Sequence, residues 1–193
     1  TISENLNSLD SFLNENIFKI EKNLKEFINN IVLIIDYDDL FLSNLSIKQK
    51  SENKILEDMQ INNLLTEAKN RLIETLGENK IVHMIIDKFI IDGLAHDKLP
   101  KNIKCKNFAL EITFVCLPNF LIDNLKKILN TYQISISEIL SYKYVSSFKS
   151  SNNESYVDAA VKVLNGFNEN EVKNVKKPNK IKSIFERFFH FWH

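Results

Sequence analysis

The last thirteen residues, Ile181 to His193, sort by side when wound as a helix. At about 100° per residue, Ile181, Ile184, Phe185, Phe188, Phe189, Phe191 and Trp192 fall within an arc of roughly 160°. Lys182, Ser183, Glu186, Arg187, His190 and His193 fill the opposite side. Pro178 stops such a helix from extending backward, because it lacks an N–H and its ring clashes with the preceding turn. A terminal segment this apolar on one side and polar on the other predicts a helix lying in a membrane interface. Lys180, Lys182 and Arg187 would then meet an anionic surface. The same face also suits docking on the chain's own domain or in a partner's groove.

Charge placement singles out the same region. The chain of 193 residues is neutral overall, with 25 basic and 25 acidic residues. From Val172 onward six bases (Lys173, Lys176, Lys177, Lys180, Lys182, Arg187) face one acid, Glu186, so this end carries +5 and the rest −5. A neutral chain is not a polyanion binder by composition, and nucleic acid is not an expected partner. No apolar run reaches the length needed to span a bilayer. The opening residues carry no signal-peptide pattern, and a chain that starts at Thr1 is expected to have been preceded by further residues. Cys105 and Cys116 lack metal-ligand or redox spacing and are expected to be reduced thiols of a cytosolic protein.

The body of the chain alternates helical and strand patterns. Residues 2–29 repeat apolar positions at helical spacing through Leu6, Leu9, Leu13, Ile17, Ile20 and Leu24. "NIVLIIDY" from Asn30 predicts a buried strand, and residues 43–56 a polar loop holding at most a short strand. A helix over about 58–75 aligns Ile61, Leu64, Leu65, Ala68 and Leu72 and stops at Gly77. Strands are expected over 80–86 and 88–92, then a polar loop from Leu94 to Asn107. Over 108–116 the strand alternates, with Leu110, Ile112 and Phe114 on one face and Ala109, Glu111 and Thr113 on the other. Pro118 opens a helix with Leu121, Leu125, Ile128 and Leu129 aligned. Residues 134–145 read as a strand with Tyr142 and Tyr144 on one face, and residues 149–155 as a polar break. A short helix with Val157, Ala160, Val161 and Leu164 inward ends at Gly166. The fold class is α+β: a small mixed sheet with helices packed on it, plus the amphipathic helix on a flexible linker. The expected organisation is a domain over 1–148, a helix over 155–166, a basic linker over 167–180 and the terminal helix over 181–193.

This order of elements resembles the FtsA family of actin-like bacterial cell-division proteins. The residues that carry the resemblance run from "EAK" (Glu67–Lys69) through "IVHMII" with His83, "FIIDG" (Phe89–Gly93) and "LEITFV" (Leu110–Val115). "ISISEIL" and "YVSS" (Tyr144–Ser147) complete the set, and "SYVDAAVKVLNG" (Ser155–Gly166) is similar to the family's last conserved helix. The match is to the family's strand–helix–strand–strand insertion, subdomain 1C, with flanks of subdomain 1A, across about residues 5–148. In that family a variable linker and a membrane-targeting helix close the chain. The resemblance implies an adaptor on the cytoplasmic face of the inner membrane at the division site, contacting FtsZ or later division proteins and neighbouring copies. The family's glycine-rich phosphate loops have no counterpart, since Gly77, Gly93 and Gly166 are the chain's three glycines. No nucleotide, cofactor or enzymatic activity is therefore expected. A remnant of a nucleotide-dependent FtsA ATPase, or a soluble scaffold whose tail is an oligomer interface, are the alternative readings.

Other candidates weigh toward ordinary structural roles. Asp36, Asp38 and Asp39 are expected to form a solvated loop rather than a metal site, and no metal is expected. His83, with no second ligand at spacing, reads as a partly exposed structural histidine. Ser146 and Ser147 lack a visible base, and Lys101, Lys104 and Lys106 belong to a solvated loop. Glu111 and Thr113 mark the polar face of a strand that a partner would pair with if it were an edge.

Overall fold

A computed structural model describes residues 2–173. The seven apolar tail residues, Lys180, Lys182 and Arg187 all lie outside the described residues. Among the described residues the architecture is α+β, with five helices, a two-stranded sheet and a four-stranded sheet. Contacts divide the chain into two units, where the sequence reading had one domain over 1–148. Among the described residues, the first comprises 2–43, Glu78–His83 and Phe114–Glu169; the second comprises Asn44–Gly77, Met84–Thr113 and 170–173.

The first unit begins with helix α1, Ile2–Leu24. It ends before the expected Asn29 because Lys25 turns left-handed at φ 59° and the Glu21 carboxylate takes the Ile28 N–H at 3.0 Å. Strand β1, Asn30–Ile35, then pairs in parallel with strand β6, Ser135–Ser141, from Asn30 opposite Ser135 to Ile35 opposite Ser141, with a bulge after Ile31. A parallel pair packed against on both faces calls for apolar residues on both, which is why "IVLII" reads as an unbroken apolar run, although its residues are only half-buried and Val32 stays exposed. Ile31 and Leu33 pack with Leu13 and Ile17 of α1 and with Leu129 of helix α3, Asn119–Thr131. Ile34 packs on the opposite side, with Leu140, Val145, Ala159 and Val163. Those residues belong to β6 and to helices α4, Tyr142–Ser146, and α5, Tyr156–Leu164.

Two expectations change here. The strand read over 134–145 stops at Ser141, and Tyr142 and Tyr144 belong to α4 instead of a strand face. The β-branched and aromatic content of "YKYV" suits a strand locally, but burying Val145 and packing the Tyr144 ring, tilted, against His83 stabilise the helical turn. In α5, Ala159, Ala160 and Val163 are inward, whereas Val157 and Val161 are exposed. The small alanines allow close approach, so the buried face lies beside the one expected.

The second unit carries strand β2 (Phe41–Ile55), helix α2 (Asp58–Thr75), strand β3 (Asn79–Ile91), strand β4 (Leu94–His96) and strand β5 (Lys104–Pro118). The strand order is β2-β5-β3-β4. The ends of β2, β3 and β5 belong to the first unit. All five residues aligned on α2 are buried. The expected polar loop over 43–56 is instead the fifteen-residue β2. Its inward positions, Ser43, Leu45 and Ile47, alternate with polar ones, and Ser51 is buried too, a signal too dilute to read as a long strand. The two strands expected over 80–92 are one continuous β3. The polar loop after Gly93 begins with β4, which pairs antiparallel with β3, Ile91 opposite Leu94. The turn between them, Asp92–Gly93, has φ of 47° and 87°, the positive pair that closes a two-residue hairpin. The Asp92 carboxylate accepts N–H groups of Lys106 at 2.9 Å and Asn107 at 2.8 Å, tying the hairpin to β5. The expected linker also starts later than 167. Ile86 N–H donates to Asn170 at 2.9 Å and Val172 N–H to Met84 at 2.8 Å, so residues 170–172 form a bridge along β3.

Gly77 ends α2 at φ 58°, with no atom near the position of an added Cβ. Gly77→Ala should therefore cost about 1 kcal/mol through backbone strain alone. Lys25→Gly, at a similar φ, should instead stabilise by up to about 1 kcal/mol. Urea unfolding of both variants checks the opposite signs.

Candidate interaction surfaces and a buried histidine

The sheet of the second unit places three polar side chains from three adjacent strands in one line. The Thr113 hydroxyl on β5 lies 2.6 Å from the Asp87 carboxylate on β3 and 2.8 Å from Asn44 Oδ1 on β2. One hydroxyl proton serves one acceptor. The line is satisfied when Thr113 donates to Asp87 and the Asn44 amide is turned to donate an N–H to Thr113. The polar group of Thr113 is thus spent on joining strands. Glu111 is exposed on the same face. β5 is an inner strand between β2 and β3, so its backbone is not free for strand addition at Glu111 and Thr113. Among the described strands, β2 and β4 stand at the ends of the order.

Lys88 of β3 pairs with Asp97 at 2.5 Å. Hydrogen bonding and charge from Lys88 hold the Asp97 carboxyl below its ordinary range, and Asp97 in turn raises the Lys88 ammonium. Both groups are solvent-exposed, so the pair tunes surface charge more than stability. A hollow of about 410 Å³ is lined by Lys48 and Lys50 of β2 together with Ile90, Asn107, Phe108 and Ala109.

In the first unit the notable group is His83. It is 2% exposed, a correction to the partly exposed position expected from the sequence. Strand alternation alone could not show that residues 58 positions away cover it. Its Nε2 accepts the Ser141 backbone N–H at 2.9 Å, which assigns the ring proton to Nδ1. That N–H sits where β6 gives way to α4, so the imidazole satisfies a buried donor at the strand-to-helix junction. A series of ring contacts leads away from it. His83 meets Tyr144 at 4.3 Å between centroids, Tyr144 meets Phe148 at 5.0 Å, and Phe148 meets Phe167 at 6.1 Å. Asn168 also donates to the Tyr144 hydroxyl at 3.0 Å. Sequence reasoning had quoted His83 and Tyr144 separately and had no signal that they touch.

The remaining candidates fall into place individually. Ser146 and Ser147 donate their hydroxyls to the carbonyls of Tyr142 and Tyr144, as helix-bound serines do. The Tyr142 and Tyr156 hydroxyls are hydrogen-bonded to each other, which raises the Tyr142 phenol, and Lys149 lies 4.1 Å over the Tyr156 ring. Cys105 and Cys116 are free and buried, and burial pushes the Cys116 thiol up to about 11. Asp36, Asp38 and Asp39 do not converge: among the described residues no three His, Cys, Asp or Glu side chains are grouped to hold a metal ion. Among them, too, no helix is long and apolar enough to cross a membrane. Lys101, Lys104 and Lys106 are exposed. No family model matches this chain, and no curated protein matches it significantly.

His83→Phe fills the ring's space but removes the acceptor, leaving the Ser141 N–H buried and unpaired. The variant should lose about 1–3 kcal/mol of stability, seen as a lower urea midpoint at unchanged slope.

Proposed function

We propose that this protein is a non-enzymatic, FtsA-like adaptor of cell division, held at the cytoplasmic face of the inner membrane by its C-terminal segment. The observation that carries the reading is the segregation of seven apolar from six polar side chains over Ile181–His193, behind a run of lysines. Burying one large apolar side chain contributes about 1.5–3 kcal/mol, so half-burial of seven contributes roughly 5–10 kcal/mol before ordering costs. Each nearby Lys or Arg adds about 1 kcal/mol at an anionic surface. That sum describes reversible attachment, strengthened when several copies act together.

The partner half of the proposal is supported by the second unit. Its elements run β2–α2–β3–β4–β5, the strand–helix–strand–strand order that the resemblance implies with the three-residue β4 added between the last two strands. Glu111 and Lys88 remain exposed on its sheet, and β2 offers a strand backbone at the end of the order. FtsZ or later division components are the class of partner proposed, bound through this unit while the tail holds the membrane.

Vesicle co-pelleting tests the membrane half. The full chain should pellet with anionic vesicles, less with neutral ones and less at high salt. A chain ended after Lys177, and a Phe188→Glu, Phe189→Glu double variant, should bind at least about tenfold more weakly. If all three stay in solution, those rings are hidden against protein and the reading fails.

A further inference from the structure

Phe18 of α1 and Phe27, which follows it, lie outside any core. Phe18 is 77% exposed, and Phe27, just past the helix end, is 79% exposed. Together with Glu21, Lys22, Lys25 and Glu26 they border an open hollow of about 330 Å³. The four charges around it cancel in pairs. An exposed apolar centre ringed by equal numbers of both signs is suited to a surface like itself, whereas an anionic membrane would repel its carboxylates.

The order of charges along α1 makes the match specific. Before Asn16 the helix carries Asp10 and Glu15 and no base; from Asn16 to its end at Leu24 it carries Lys19 and Lys22 against Glu21, and Lys25 and Glu26 follow just past the end. Two such helices laid antiparallel place the half that holds only acids on the half that holds the lysines. Glu15 and Lys22 lie on the same flank of Phe18, about 60° and 40° around the helix, one turn before it and one turn after. Both are exposed. A two-fold axis beside Phe18 therefore sets Phe18 on its counterpart, and Glu15 of each copy against Lys22 of the other. Small, uncharged Ser11 and Asn14 of the second copy then come over the hollow. An isologous contact needs this kind of self-complementarity.

We propose that the stripe of α1 centred on Phe18 is a self-association surface, on which a second copy of this chain lies antiparallel. The argument is independent of the membrane reading, and its test uses mass rather than lipid binding. Sedimentation equilibrium of the full chain should show a monomer–dimer equilibrium. Glu15→Lys and Lys22→Glu, each alone, should weaken the dimer about tenfold by setting like charges together twice, and the double exchange should restore it. Phe18→Ser should also weaken it, with an unchanged far-UV spectrum because the ring is exposed. A chain that stays monomeric to about 100 µM overturns the proposal. So does a dimer indifferent to the single reversals, or one that the double exchange does not restore. If Phe18→Ser lowers vesicle binding while the mass stays monomeric, the stripe faces lipid and the proposal is likewise overturned.

Discussion

Strand β5 sets the terms for the rest of the chain. Leu110, Ile112, Phe114, Cys116 and Leu117 are fully shielded from water, and Val115 nearly so. A strand that is buried on alternate positions at first and on every position from Phe114 to Leu117 needs cover on one side and then on two. Its neighbours in the sheet are β2 and β3, and where it ends Leu117 joins Leu121, Ile122 and Leu125 of α3 in one cluster. The Asp92 carboxylate fixes the hairpin against the start of the same strand. Replacing any of the five with a polar residue would bury a group with nothing to pair with, which costs more than most surface changes.

What the sequence reveals and what it hides follow from the range of the interactions. The α2 face, the alternation of Leu110, Ile112 and Phe114 and the start of α3 after Pro118 are local patterns whose periodicity survives in the chain itself. β2 was missed because Lys48, Gln49, Lys50 and Glu52 dilute its inward residues, and its strand state depends on pairing with β5, far along the sequence. α4 was missed because tertiary contacts of Tyr144 and Val145 override a strand-like composition. The bridge of residues 170–172 to β3 and the burial of His83 depend on partners more than fifty residues away. Glu111 and Thr113 were legible as a polar strand face. That β5 is an inner strand, and that Thr113 is engaged with Asp87 and Asn44, was not.

Two attachments precede the segment on which the functional reading rests. In the first unit Phe167 closes the series of rings that starts at His83. In the second unit Asn170 and Val172 hydrogen-bond to β3. The chain that follows reaches Ile181 through residues 174–180, seven residues that span at most about 25 Å. On the proposed reading, the short basic stretch and the one-sided apolar segment that follow would hold the folded units near a surface without inserting them. An α1-mediated pair would bring two such segments to the same surface, raising the effective concentration of the second once the first is bound.

The central claim is that surface attachment belongs to residues 181–193 and leaves the folded units free for partners. Hydrogen–deuterium exchange of the full chain, with and without anionic vesicles, addresses it directly. The account predicts slowed exchange within 181–193 on vesicles and unchanged exchange in β2, β5 and α5. Slowed exchange in those elements, with 181–193 unaffected, would contradict it.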